Sequence, residues 1–78
     1  DVHTTCLLGA AKILFGLRAH LSGTIKLIFQ PGEEVLPGGA SLMIDEGVLE
    51  NPAPDLLIAQ HVFPSLPAGY VGFRNGMY

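Results

Sequence analysis

The chain has 78 residues, a net charge of −3 and only four lysines and arginines, so a basic surface for nucleic acid is not expected. Apolar residues make up 49% and charged residues 14%, whereas a self-contained domain of this size would carry more charge on its large surface. The composition, together with the lack of an initial Met, therefore predicts a piece of a larger protein. Cys6 is the one cysteine, which excludes a disulfide within the chain and favours a reducing, cytoplasmic compartment. No apolar run approaches the ~20 residues that span a bilayer, so membrane association is not expected.

The first predicted element is a helix over residues 4–21, where apolar side chains recur at helical spacing. Thr4 or Thr5 is a candidate for its N-cap. Arg18 and His20 lie where a positive charge favours the negative end of the helix dipole.

The remaining elements predict an α/β fold. Residues 24–30 are nearly continuously apolar and rich in β-branched and aromatic types, which is typical of a strand covered on both faces. Residues 37–48 predict a second helix, residues 56–63 a second apolar strand after a loop at 50–55, and residues 70–74 a third strand. The order helix, strand, helix, strand, strand predicts a fragment of a mostly parallel sheet flanked by helices.

Residues 24–62 contain a predicted β-α-β unit, which joins parallel strands by a right-handed crossover. The C-terminal ends of parallel strands meet at one edge of the sheet, where open α/β sheets bind ligands. Glu33 and Glu34 follow the first strand, and His61 lies at the end of the second. The topology therefore predicts that the two acids and the histidine meet in space.

A divalent metal ion is one interpretation of this group. Two carboxylates in a dry cleft cannot both stay ionised without a counter-charge, and few lysines or arginines are nearby. Carboxylate oxygen and imidazole nitrogen together suit Zn, Mn, Co or Ni better than Ca. One acid could bind the metal while its neighbour moves a proton on a bound water. The alternative remains open that Glu33 and Glu34 are solvated loop residues and that His61 is a hydrogen-bonded core residue.

Other candidate motifs are weaker. His3 and Cys6 have H-x-x-C spacing, but Cys6 falls on the apolar face of the first helix, which favours core packing. Gly38 and Gly39 precede a helix without either glycine-rich phosphate-binding pattern, so they are interpreted as a tight turn beside the acids.

Four segments of the chain together resemble the aminoacylase-like metallopeptidases: DVHTTCLLGAAKIL, GTIKLIFQPGEE, GGASLMIDEGVL and QHVFPSLPAGYVGFRNG. More narrowly, they resemble the branch of hippurate hydrolases, N-acyl-amino-acid amidohydrolases, auxin-conjugate hydrolases and related carboxypeptidases. The resemblance covers essentially the whole chain in order. It implies that residues 1–78 are part of the catalytic, metal-binding domain, with the family's lid or dimerisation domain absent and beginning after Tyr78.

The family's A-C-G-H-D-x-H-T motif is matched from its Asp onward, by Asp1 and His3. The resemblance implies that the metal-binding Cys and the first His ligand of the family would precede Asp1. It also implies that Asp1 and His3 orient the metal ligands without binding the metal themselves. Cys6 stands where the family commonly has Met or Ala, and it is not the metal-binding Cys.

The family's Q-P-[AG]-E-E motif matches residues 30–34, and its [GL]-H-V motif matches His61. The resemblance implies that Glu33 is the general base and that Glu34 and His61 are metal ligands. A final histidine ligand of the family lies near its far C-terminus and has no counterpart in this chain.

The activity implied by the resemblance is metal-dependent hydrolysis of the amide bond of N-acyl amino acids or small peptides, with two divalent ions of the Zn, Mn, Co or Ni type. The implied partners are a small-molecule substrate and a second subunit contacted through the lid domain. Two competing hypotheses are a catalytically inactive α/β fragment with a structural role and a metal-binding module. The 78-residue chain alone is expected to be inactive because it carries only part of the ligand set.

Overall fold

The computed structural model describes residues 1–76, in which two α-helices and one 3-10 helix form. Helix α1 spans Val2–Gly16, the 3-10 helix spans Arg18–His20, and helix α2 spans Gly39–Asp45. No helix in this part of the chain is long and apolar enough to cross a membrane. The predicted domain boundary after Tyr78 lies outside the described residues.

Helix α1 begins two residues earlier than the apolar pattern predicts. Asp1 is its N-cap residue, and the Asp1 main-chain oxygen accepts the N–H of Thr5 at 2.9 Å. The Thr5 hydroxyl donates to the same oxygen at 2.9 Å. Thr5 therefore lies inside the first turn, and the predicted capping by a threonine side chain does not occur.

Helix α1 also ends earlier than predicted, at Gly16, which has a low helix propensity. The chain then tightens into the 3-10 helix, with the His20 N–H donating to the Leu17 carbonyl at 2.8 Å. The Arg18 guanidinium donates to the Phe15 carbonyl at 2.8 Å and lies 4.3 Å from the centre of the Phe15 ring. Arg18 and His20 thus lie beyond the last turn of α1, and the Arg18 side chain binds one of its last carbonyls from there.

Helix α2 is shorter than the predicted 37–48. It begins after Gly38 and ends near Glu46, whose N–H donates to Leu42 at 3.0 Å. Gly47 follows with a φ of 81°, a left-handed conformation that favours glycine after a helix.

The predicted α/β fold is wrong for the described part of the chain. No strand forms in residues 1–76, and the predicted strands at 24–30, 56–63 and 70–74 have no regular secondary structure. Segments 24–30 and 56–63 make no backbone hydrogen bonds with each other. Neither the sheet nor the β-α-β crossover is present, so the sheet edge expected to gather the site residues is absent as well.

The physical reason is that a strand requires a neighbouring backbone with which its N–H and C=O groups pair. A continuous apolar run predicts burial, but it does not specify that neighbour. In the structure the Lys26 ammonium ties the first run to the loop after α2, donating to the carbonyls of Val48 at 3.0 Å, Glu50 at 2.6 Å and Pro52 at 3.0 Å. The second run lies instead against the start of α1.

The described residues do not bury an apolar core. No hydrophobic residue among them is buried, and large apolar side chains are exposed from Val2 to Phe73. Leu36, Ile58 and Phe73 are 94%, 83% and 93% exposed. The helices and the loops therefore do not cover one another's apolar faces in residues 1–76.

Candidate functional site

The two adjacent acids lie at the corner of a tight turn. The Val35 N–H donates to the Gly32 carbonyl at 3.2 Å, which closes a β-turn with Glu33 and Glu34 as its two central residues. Gly32 has a φ of 57°, and Pro31 precedes it with a fixed φ of its own. The proline and glycines of the sequence thus shape a loop that projects both carboxylates from one corner.

Both carboxylates are exposed to solvent and have no bonding partner in the described residues. Within residues 1–76, neither Glu33 nor Glu34 takes part in a side-chain hydrogen bond or an ion pair. Their oxygens are therefore available to accept protons or to bind a cation. No hydrogen bond joins either acid to a histidine in this part of the chain.

The histidines of the predicted site do come together. His3 on α1 and His61 have ring centres 4.9 Å apart, tilted by 55°. The Nε2 atom of His3 accepts the main-chain N–H of Val62 at 2.9 Å, and the Gln60 side-chain amide donates to the His3 carbonyl at 3.2 Å. Three consecutive residues, 60–62, are thereby fixed against the first turn of α1.

These hydrogen bonds determine the tautomers of the neutral rings. The His61 Nδ1 atom lies 2.7 Å from the Val62 carbonyl, and because a carbonyl only accepts, Nδ1 carries the proton. The Nε2 atom of His61 then keeps a free lone pair. His3 has the opposite arrangement, since its Nε2 accepts a hydrogen bond and its proton lies on Nδ1.

The His61 tautomer suits a metal ligand, because ligating histidines usually donate the other ring N–H to a carbonyl or carboxylate. The number of metal-binding side chains that lie together is too small for a complete metal site. Residues 1–76 contain no group of three or more His, Cys, Asp or Glu side chains that could hold a metal ion. The acid pair and the histidine pair are two separate clusters in the described chain, so these residues alone do not fit a dinuclear centre.

The remaining predicted residue is Asp1, whose main-chain oxygen accepts the two hydrogen bonds from Thr5. The ligand-orienting roles of Asp1 and His3, and the catalytic and ligand roles of Glu33, Glu34 and His61, remain predictions.

Sequence reasoning missed two contributors to these clusters. Gln60 and Val62 hold His3 through an amide and a main-chain N–H. Gly39, which the sequence predicts in a tight turn beside the acids, packs against Pro31 immediately before the β-turn of residues 32–35, the acid turn. Gln60 offered a signal, because a polar residue interrupts an apolar run there. The main-chain role of Val62 leaves no signal in the side-chain pattern.

Comparison with known proteins places the whole described chain in one family. The model of peptidase family M20/M25/M40 matches residues 1–76. An IAA-amino acid hydrolase of Arabidopsis thaliana is 46% identical over 78 residues, covering 100% of this chain and 17% of that relative. An N-acyl-L-amino acid amidohydrolase of Geobacillus stearothermophilus is 41% identical over 97% of this chain and 20% of its own length.

A third relative, the N-acetylcysteine deacetylase of Bacillus subtilis, is 38% identical over 97% of this chain and 19% of its own length. The chain thus spans about a fifth of the length of the curated relatives it matches. No solved structure matches it at a significant level. Because the family model covers the chain from residue 1 to residue 76, the chain belongs to peptidase family M20/M25/M40.

Proposed function

We propose that residues 1–78 are part of the catalytic domain of a metal-dependent amidohydrolase, which cleaves the amide bond of N-acyl amino acids or small peptides. The observation that carries this proposal is the family match over residues 1–76, together with relatives named for hydrolysing N-acyl and IAA–amino acid conjugates. The amide bond to an amino acid is the chemical feature common to those names.

Glu33 is the proposed general base. A carboxylate without an ion-pair or hydrogen-bond partner is free to take a proton from an attacking water and to deliver it to the leaving nitrogen. Its position at the corner of the turn gives it access to a ligand outside the chain. The same carboxylate thus performs both proton transfers of an amide hydrolysis.

Members of the family are generally metal-dependent. We propose two divalent ions of the Zn, Mn, Co or Ni type, with Glu34 and His61 among their ligands. The free Nε2 lone pair of His61 and the unpaired Glu34 carboxylate support those two assignments. Structural and catalytic zinc sites use three or four protein ligands, so the proposal requires further donors from the rest of the protein.

The proposed partners are a small-molecule substrate and a second copy of the protein, contacted through a separate lid domain. A cytoplasmic location is proposed on the single, unpaired Cys6.

The test uses the full-length protein, by which we mean a polypeptide that contains this chain and is as long as its curated relatives. The purified full-length protein is incubated with N-acetyl amino acids, an indole-acetyl amino acid and dipeptides, and the released amine is quantified. Release of free amino acid from at least one N-acyl amino acid is expected. The matched control replaces both Glu33 and Glu34 by Gln and should release none, whereas equal release by this variant, or none by the wild type, would refute the proposal.

A further inference from the structure

Gly39 occupies an unusual position in the described chain. Among residues 1–76 it is the buried residue, at the first position of α2, and it packs against Pro31. A Cβ atom placed on Gly39 would overlap the Pro31 carbonyl oxygen, and it would lie 2.8 Å from the Pro31 carbonyl carbon and 2.9 Å from its ring Cγ. Real Cβ atoms do not approach other atoms this closely, so any side chain here forces the backbone at Pro31 to move.

The need for glycine at this position is one of space and not of backbone conformation. Gly38 and Gly32 have φ values of 87° and 57°, which favour glycine, whereas Gly39 does not have a positive φ. A Cβ on Gly38 would meet its nearest neighbour, the Val35 carbonyl oxygen, at 3.6 Å, and one on Gly32 would meet nothing within 4 Å. Close approach of two backbones therefore distinguishes Gly39 from the other glycines of this loop.

The Pro31 backbone, against which Gly39 packs, leads directly into the acid turn of residues 32–35. The Pro31 carbonyl belongs to the rigid peptide plane shared with Gly32, so displacing its oxygen also displaces the Gly32 nitrogen. Gly32 in turn provides the carbonyl that closes the turn on the Val35 N–H. A shift at Pro31 is thus transmitted to both central residues of the turn, Glu33 and Glu34.

We propose that Gly39 is a positioning residue, which sets the direction of Glu33 and Glu34 by allowing the start of α2 to seat against Pro31. The inference rests on the proposed function, since it assigns the two acids a task that depends on direction. A misplacement of a reacting group by about 1 Å, caused by a change far from it, can cost about 100-fold in rate.

The experiment compares Gly39→Ala with Gly9→Ala in the full-length protein. A Cβ on Gly9, within α1, would meet nothing within 4 Å, so this variant adds the same methyl group without overlap. For Gly39→Ala we expect kcat for an N-acetyl amino acid to fall about 100-fold, with a much smaller change in KM. Gly9→Ala should keep both constants.

Amide hydrogen exchange reports on the turn independently of activity. In Gly39→Ala the Val35 amide should exchange faster, because its acceptor Gly32 has moved, while amides of α1 should exchange as in the wild type. Unchanged kcat and unchanged Val35 exchange would overturn the inference. Faster Val35 exchange in a protein whose wild type hydrolyses no amide would support the placement by Gly39 and refute the proposed function.

Pro31→Ala keeps the test decisive if Gly39→Ala does not fold. This variant adds no heavy atom, removes the ring carbon that packs on Gly39 and releases the fixed φ at position 31. It should lower kcat and speed up Val35 exchange in the same direction, by a smaller factor. Wild-type kcat and wild-type exchange in Pro31→Ala would overturn the inference.

Discussion

At the scale of single residues, Glu33 and Glu34 have identical side chains and differ only in direction. As the two central residues of one β-turn they leave the backbone at different angles, so one carboxylate can bind a cation while the other reaches a water molecule. The order of the two roles follows from the Q-P-[AG]-E-E resemblance, and two substitutions separate them.

The first prediction concerns Glu33→Gln in the full-length protein. The amide keeps the size of the side chain but cannot take a proton, so kcat should fall by about 10²–10⁴, the usual worth of a positioned general base. Metal content, measured by mass spectrometry on the same preparation, should remain near that of the wild type. Loss of metal from this variant would reverse the two roles.

The second prediction concerns Glu34→Gln. A neutral amide oxygen is a poorer ligand for a divalent ion than a carboxylate, so the purified variant should contain less metal than the wild type. Its activity should partly return when metal is added in excess, which Glu33→Gln should not show. Full metal content in Glu34→Gln would remove Glu34 from the ligand set.

The third prediction concerns His3, whose Nε2 accepts the Val62 N–H. His3→Ala removes this acceptor, and the Val62 amide should then exchange its hydrogen faster in the full-length protein. His20→Ala is the matched control, because the side chain of His20 forms no hydrogen bond in the described residues. Equal Val62 exchange in all three proteins would show that the His3 contact is not formed.

Part of this site could be predicted from residue types alone. Glu33 and Glu34 closely follow one apolar run and His61 interrupts another, so the residue types alone single them out. The pairing of His3 with residues 60–62 could not be predicted, because it depends on a main-chain N–H and on where α1 begins. Short-range patterns do not encode a contact across 59 positions.

At the scale of elements, Lys26 shows why the strand predictions failed. Its ammonium has three N–H donors, and the three carbonyls of residues 48, 50 and 52 use all of them. The first apolar run is thereby held against a loop and not against a second strand. The helices could be predicted from periodicity because their hydrogen bonds are local. A strand needs a second strand with which to pair, and periodicity does not specify which segment that is.

The fourth prediction is that Lys26→Met lowers the free energy of unfolding of the full-length protein by about 1.5–3 kcal/mol, the range for hydrogen bonds to a charged group. Methionine keeps the apolar stem and removes the donors. Lys12→Met on α1 is the matched control, because Lys12 is exposed and has no hydrogen-bond partner in the described residues, and it should stay within about 0.5 kcal/mol. Equal effects in urea denaturation would exclude a role for the three carbonyls.

For the molecule as a whole, the feature that matters most for stability is that residues 1–76 contain no buried apolar side chain. Ordering a residue costs about 1–2 kcal/mol of backbone entropy, and burial of apolar surface at about 25 cal/mol per Å² is the main term that offsets this cost. A chain with its large apolar side chains exposed lacks that term. The chain spans about a fifth of the length of its curated relatives, and we expect the rest of such a protein to supply the surface that covers these side chains.

The fifth prediction follows for the 78-residue chain produced alone. It should show no cooperative thermal transition by circular dichroism, fast amide exchange throughout, and no release of amino acid from N-acyl amino acids. A sigmoidal transition, or turnover at the rate of the full-length protein, would show that this segment carries its own core and a complete site.

We propose that the full-length protein hydrolyses N-acyl amino acids through bound divalent metal. The most direct test removes the metal from the full-length protein by dialysis against a chelator, then adds Zn, Mn, Co or Ni stepwise while amino acid release and bound metal are both measured. Activity should disappear with the metal and return in proportion to the metal that rebinds. Undiminished hydrolysis by the metal-free protein would show that bound metal is not required.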